Sequence, residues 1–313
     1  MAMKENFISC RLRIAHLYRR KKIIRIKIIN PIGRYIKFSP CFCQRTWSAS
    51  HSGLADSIVC KRRPERAGVE RSKIFLMRIV TYNIHKGRGM DGRVSMKRIA
   101  EVLGELDADI IALQEVFSGC DSKQGQVEML ASELGMKSAF GCTRHHRGQP
   151  YGNALLSRWP IIATCGMDLT WAHRERRGCI RADLKTAFGP LHIFNIHMGT
   201  SYFERRHQVK SLLASKQIHD DISGPRVLVG DFNEWIKGLT TRMLSDRFES
   251  LNLELHVRKR RSYPGLLPIL HLDHIYFERP LHVEKAELIR TRRSRLASDH
   301  LPLVATFGWE DER

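Results

Sequence analysis

The chain has 313 residues, 42% hydrophobic and 27% charged, a length and composition that allow one large domain with a substantial core and remove any need for staples. Its net charge of +21 is uneven: residues 1–76 hold 18 Lys+Arg against 4 Asp+Glu, and the remainder holds 35 against 28, so the overall isoelectric point overstates the case for a nucleic-acid partner. No apolar stretch approaches the roughly 18–20 residues of a membrane span, and the longest candidate, Ile23 to Ile36, is interrupted by Arg25, Lys27, Pro31 and Arg34.

In chain order, residues 1–76 read as a basic N-terminal extension and residues 77–313 as a folded domain. The extension carries runs such as Arg19-Arg20-Lys21-Lys22. Only Ile24 to Ile28 alternates like a strand. Three readings stand open for it: a polyanion-holding arm, a targeting segment, or translated upstream sequence, since Met77 opens the first strong strand and suits a start. That strand runs from Met77 to Ile84. Ile99, Val102, Leu103 and Leu106 then mark an amphipathic helix with Ser95 near its start. Asp109 to Val116 reads as a buried strand, and Val127, Leu130, Ala131 and Leu134 as a second helix ended by Gly135. Strands are expected at 151–157, 160–168, 179–187 and 190–197, and a helix at about 202–219. Arg226 to Asp231 forms a further strand, and strands near 273–277, 282–289 and 301–307 close the chain. The eight cysteines show no zinc spacing and read as reduced thiols in a cytoplasmic, monomeric protein.

Polar residues gather at the ends of these strands: Asn83 and His85, Gln114 and Glu115, Asn195 and His197, Asp231 to Asn233, Asp273, and Ser298 to His300. Singly, each has a plain structural reading, a core histidine or an Asx turn. Together they lie where open α/β sheets bind ligands. The residue types suit phosphodiester hydrolysis. A phosphodiester repels hydroxide, and a hard divalent cation on oxygen ligands offsets that charge. Glu115, supported by Asn83, is the natural anchor. Asp231 or a His–Asp pair suits an attacking water. Asn233, His197 and His300 can donate to phosphate oxygens as charge builds.

Seven segments then carry a resemblance. Thr81 to Gly87 (TYNIHKG), Leu113 to Val116 (LQEV), Tyr151 to Ser157 (YGNALLS), Asn195 to His197 (NIH), Gly230 to Asn233 (GDFN), Leu272 to Ile275 (LDHI) and Ser298 to Leu303 (SDHLPL) occur in order. The set resembles the endonuclease/exonuclease/phosphatase superfamily, DNase I-like in fold. The resemblance implies an α/β (α+β) class and a four-layer α/β/β/α sandwich of two mixed β-sheets. It places Glu115, Asn83 and Asp299 at a Mg²⁺ ion, with Mn²⁺ as the alternative. It makes Asp231 a general base or a proton donor to the leaving oxygen, sets Asn233 and His197 on the phosphate, and has Asp273 orient His300. Tyr151 and Asn153 would line the groove, and Arg177 and Arg181 would contact phosphate.

The departures narrow the branch. Val116 stands where abasic-site endonucleases of this superfamily carry Thr, and Leu272 to Ile275 lacks the Trp-Cys-Asp-Arg element of inositol-polyphosphate phosphatases. The chain is most similar to generic bacterial members. Basic runs at 258–261 and at Arg290, Arg292, Arg293 and Arg295 could track a nucleic-acid backbone or anionic headgroups, or be solvated loop charge. Trp235 reads as packing. The expectation is a Mg²⁺-dependent phosphodiesterase acting on nucleic acid. One alternative is an anionic phospholipid, sphingomyelin or small phosphoester as substrate, although no aromatic membrane-insertion hairpin is readable. Another is an inactive polyanion-binding module, against which intact Glu115, Asp231 and His300 argue.

Overall fold

The computed structural model describes residues 75–119, 125–219, 222–234, 238–257 and 260–309. The reading of residues 1–76 as an extension, with the strand-like Ile24 to Ile28, lies outside the described residues except for Phe75 and Leu76, and so do Cys120, Trp235, Arg258 and Lys259. Twelve strands are described: β1 (Phe75–Asn83), β2 (Ile110–Phe117), β3 (Lys137–His146), β4 (Gln149–Ser157), β5 (Ile161–Asp168), β6 (Gly178–Thr186), β7 (Gly189–His197), β8 (Arg226–Asp231), β9 (Glu249–Ser250), β10 (Asp273–Phe277), β11 (Leu281–Leu288) and β12 (Leu303–Trp309). They make two six-stranded sheets, ordered β11-β12-β1-β2-β4-β3 and β5-β6-β7-β8-β10-β9. Both sheets are mixed, because β1 and β2 pair in parallel, as do β7 and β8, amid antiparallel neighbours.

The helices are α1 (Met96–Gly104), α2 (Gln126–Leu134), α3 (Tyr202–Ala214), α4 (Lys216–His219), α5 (Leu239–Leu244), α6 (Leu253–His256) and α7 (Arg292–Ala297). Strand alternation assigns the layers. Met77 and Ile79 of β1 pack with Ile193, Val227, Val229 and Ile275 of the other sheet in the inter-sheet core. Val80 and Tyr82, one residue out of phase, pack on Ile99 and Leu103 of α1 and Val127 of α2. Phe194 and Leu228, on the far face of the second sheet, pack on Val209 and Leu212 of α3, Ile218 of α4 and Leu244 of α5. The result is the expected four-layer sandwich.

Local signals explain several boundaries. Ser95 caps α1 by accepting from the Arg98 amide, and Gly135 ends α2 in the left-handed region at φ 64°. The expected helix at 202–219 is broken, because Ser215 is extended at ψ 141° and separates α3 from α4. Strand β3 went unanticipated: it is an edge strand with only Ala139 buried, so its sequence lacks the apolar alternation of a half-buried strand. β1 begins two residues ahead of Met77, as Phe75 and Leu76 pair with Trp309 and Gly308 and the Phe75 ring stacks on Phe188 at 4.7 Å.

Near the strand ends the inter-sheet layer turns polar. The Asn195 amide of β7 donates to the carbonyls of Leu113 (2.8 Å) and Ala154 (2.7 Å) and accepts from the Gln114 side chain (2.7 Å), tying one sheet to the other. All these groups are buried, so removing Asn195 takes a hydrogen bond from three buried partners. Asn195→Ala is expected to cost about 2–4 kcal/mol, read as a fall in the urea midpoint with an unchanged slope.

Candidate functional site

The inter-sheet face continues past the apolar layer into the chemistry. In β7 the inward phase runs Leu191, Ile193, Asn195, His197; in β8 it runs Val227, Val229, Asp231; in β10 it runs Phe277, Ile275, Asp273. Asn83 continues Met77 and Ile79 in the same way. His197 and Asp231 are register partners, and so are Asp231 and Asp273. Glu115 does not follow this rule. The β2–β4 register shifts between Leu113 and Val116, and Glu115 takes φ 57°. This bulge re-aims its side chain toward Asn83 while Leu113 and Val116 both stay in the outer core. Gly230 sits at φ 148° where a Cβ would lie 1.9 Å from the Ile196 carbonyl, so only glycine lets β8 approach β7 this closely just before Asp231.

A crevice of about 330 Å³ opens there, lined among others by Asn83, Glu115, Arg177, His197, Asp231, Asp299 and His300. Asn83 donates to Asp231 Oδ2 (3.1 Å) and to Glu115 Oε1 (3.4 Å). Lys86 Nζ lies 2.7 Å from Glu115 Oε2. Asp231 Oδ2 is 3.6 Å from both His197 Nε2 and His300 Nε2. Asp273 Oδ2 faces His300 Nδ1 at 3.1 Å and accepts from the Ser262 hydroxyl at 2.7 Å. His85 Nδ1 stands 3.5 Å from Asp299. Asn233 donates its backbone N–H to Asp231 (2.9 Å) and its amide to the Met198 carbonyl (2.8 Å).

Electrostatics separate the two imidazoles. Burial opposes charge on His300, but Asp273, Asp231 and the Asp273 hydrogen bond outweigh it and push the pKa up to about 10. Burial and the Arg177 guanidinium, which lies 2.8 Å from Nε2, push His197 down to about 4. The two rings are thus shifted in opposite directions. Burial also opposes ionisation of Glu115, yet the surrounding imidazoles and Lys86 hold its carboxyl well below the usual range.

The expected residues do not all converge. Arg181 sits between the inward-facing Ile180 and Ala182, so its side chain points outward, pairing with Asp183 (2.7 Å) and donating to the Gln217 carbonyl of α4 (3.1 Å). The expectation that Arg181 contacts phosphate is corrected on that geometry. Asn153 is buried and donates to the carbonyl of Gly178 (3.0 Å), which makes it an inter-sheet tie and not a groove wall. Tyr151 is buried, with Lys86 and Arg144 over its ring. Sequence reading assigned no role to Lys86, Ser262 or Tyr263. Lys86 was visible in the segment Thr81 to Gly87. Tyr263, whose ring lies 5.0 Å from that of His300, comes from a loop without periodic signal.

Among the described residues no three His, Cys, Asp or Glu side chains form a ready-made metal cluster. Beside the imidazoles of His197 and His300, the crevice is lined by oxygen donors, the carboxylates of Glu115, Asp231 and Asp299 and the amide of Asn83, and a cation, the Lys86 ammonium, already lies on Glu115. This set fits a hard divalent ion that takes one or two carboxylates and keeps much of its water. It does not fit a soft metal that needs a thiolate or imidazole cage.

A family model described as Endonuclease/Exonuclease/phosphatase family matches residues 80–300. The chain is 26% identical over 250 residues to the uncharacterized protein YbhP of Escherichia coli (strain K12), covering 75% of this chain and 98% of that one. It superposes on an endonuclease/exonuclease/phosphatase family protein of Bacteroides thetaiotaomicron with TM-score 0.65 and 18% identity, over 77% of this chain and 100% of that one. A mannosyl-6-phosphatase of the same organism superposes with TM-score 0.61 and 18% identity, over 74% and 99%. At these identities the solved structures speak for the fold.

Proposed function

The chain belongs to the endonuclease/exonuclease/phosphatase family, whose members hydrolyse phosphoesters, and from that premise we propose that it cleaves a phosphodiester with the help of a divalent cation held at Glu115. The observation that carries the reading is the Asp231 carboxylate 3.6 Å from two imidazoles, with Glu115 joined to it through Asn83.

The chemistry follows from the side chains. Asp231 has acceptor oxygens fixed by Asn83 and the Asn233 N–H, so it takes the proton of the attacking water. The His300 imidazolium, held by Asp273, which Ser262 in turn hydrogen-bonds, donates to a phosphate oxygen as charge builds. His197 and Arg177 stand beside it as further donors, and the Arg177 guanidinium supplies fixed positive charge at the crevice. Asn83 holds Glu115 and Asp231 in one frame. Glu115 and Asp299 would hold Mg²⁺ or Mn²⁺, which would supply Lewis-acid neutralisation of the phosphate.

Nucleic acid is the first substrate class, supported by the positive balance after Met77 and by Arg177 at the crevice. A phospholipid or small phosphoester is the second reading, favoured by exposed aliphatic side chains, Leu266, Leu267 and Ile269, on the loop whose ends Tyr263 and Leu270 line the crevice. The test incubates the full chain with Mg²⁺ or Mn²⁺ and a panel of single- and double-stranded DNA, RNA, phospholipid vesicles and small phosphodiesters. Cleavage abolished by EDTA and restored by Mg²⁺ or Mn²⁺ is expected. Metal-independent cleavage, or none of any substrate, would remove the reading. Headgroup release with nucleic acid untouched would select the second substrate class.

A further inference from the structure

The segment from Ser262 to Leu270 is a tight loop fastened to the site. Tyr263 and Leu270 bridge each other, with the Leu270 N–H donating to the Tyr263 carbonyl at 2.8 Å. The Gly265 N–H donates to the Asp299 carbonyl at 2.6 Å and the Leu301 N–H to the Ser262 carbonyl at 2.9 Å. A Cβ on Gly265 would lie 2.6 Å from the Ser298 carbonyl, so glycine permits the loop to seat on the segment between α7 and β12 that carries Asp299 and His300. Tyr263 and Leu270 at its base also line the crevice.

The tip of this anchored loop is aliphatic and in water. Leu266, Leu267 and Ile269 are 55%, 74% and 55% exposed. Scattered single exposures are ordinary, but three large aliphatics on one fixed loop form a patch that asks for a partner. Beside them lies a second cleft, of about 480 Å³, lined by Leu266, Arg290, Arg292, Arg295 and Leu296. Arg290 is positioned by its bond to the Arg261 carbonyl (2.7 Å). Arg293, by contrast, turns to α1 and pairs with Glu101 and Glu105.

We infer that the 263–270 loop and the arginine-lined cleft beside it form a docking surface for a bilayer carrying anionic phospholipids, and that docking brings the crevice to the membrane surface. Guanidinium groups match lipid phosphates in charge and fork geometry. The aliphatic tip supplies the apolar contact that interfacial binding adds to charge attraction. A nucleic-acid backbone would satisfy the arginines but leave Leu266, Leu267 and Ile269 in water, and single-strand binders stack bases on aromatic rings that this tip does not carry. The inference goes beyond the hydrolytic reading and stands without it, because docking needs neither metal nor Asp231.

The test is co-sedimentation of the full chain, in EDTA, with vesicles of phosphatidylcholine containing phosphatidylglycerol. Wild type and Asp231→Asn are expected to bind alike. Leu266→Ser/Leu267→Ser/Ile269→Ser, all at exposed positions and checked for an unchanged melting curve, is expected to bind at least about tenfold more weakly. Arg292→Gln/Arg295→Gln is expected to bind no better to these vesicles than to phosphatidylcholine alone. A folded triple-serine variant that sediments like wild type would overturn the inference and assign vesicle binding to another basic region, residues 1–76 among them. Two other results would also overturn it: a wild-type dimer that the triple variant dissolves, or arginine variants that lose DNA binding while vesicle binding is untouched.

Discussion

Asp231→Asn is expected to lower kcat for phosphodiester hydrolysis by about 10³-fold, with KM nearly unchanged and the fold intact. The substitution is isosteric and preserves an acceptor for the Asn233 N–H at 2.9 Å. What it removes is the basic oxygen set 3.6 Å from both His197 and His300. A bound phosphodiester still meets His300, His197 and Arg177, so ground-state binding survives. The deprotonation of water does not, and its loss appears in kcat alone. Steady-state kinetics at saturating Mg²⁺ separate the two parameters. A rise in KM with kcat preserved would show that Asp231 holds the substrate and takes no part in proton transfer.

Glu115→Gln is the second large effect, expected at about 10²–10³-fold in kcat/KM under limiting metal. The carboxylate is held ionised against burial by Lys86 and the neighbouring imidazoles. The amide keeps the shape and the contact with Asn83 but cannot neutralise a dication. Part of the activity is expected to return as Mn²⁺ is raised, because Asp299 and the substrate phosphate remain as oxygen ligands. For Asp231→Asn no concentration of metal is expected to restore the rate. The contrast divides the two carboxylates into an ion-binding and a proton-handling role.

Much of this site was legible because strand phase carries it. Asn195, Asp231 and Asp273 each fall one inward step from an apolar core residue, Ile193, Val229 and Ile275, and Asn83 and His197 continue the same phase of β1 and β7, so alternation and strand ends suffice to gather them. Arg181 shows the same rule neglected: Ile180 and Ala182 face the inter-sheet core, and a residue between them must face out. Glu115 lies beyond the rule. Its direction depends on a bulge and a positive φ, which no local pattern announces; its place at a strand end and its carboxylate chemistry singled it out, but not the way it is aimed. Loops were least readable. Ser262, Tyr263 and the exposed Leu266, Leu267 and Ile269 acquire meaning from backbone bonds to the Asp299 and Leu301 strand entry, a tertiary fact absent from a run of glycine, proline and leucine. β3 was missed for a related reason, since an edge strand with one buried side chain has no apolar face to report.

The claim on which the account rests is that Glu115 is where a divalent cation binds. Electron paramagnetic resonance of free Mn²⁺, titrated against wild type, Glu115→Gln and Asp231→Asn, tests it without any substrate. Wild type and Asp231→Asn are expected to withdraw Mn²⁺ from solution similarly, and Glu115→Gln to do so at least about tenfold more weakly. Equal uptake by Glu115→Gln and wild type would place the ion elsewhere and contradict the account.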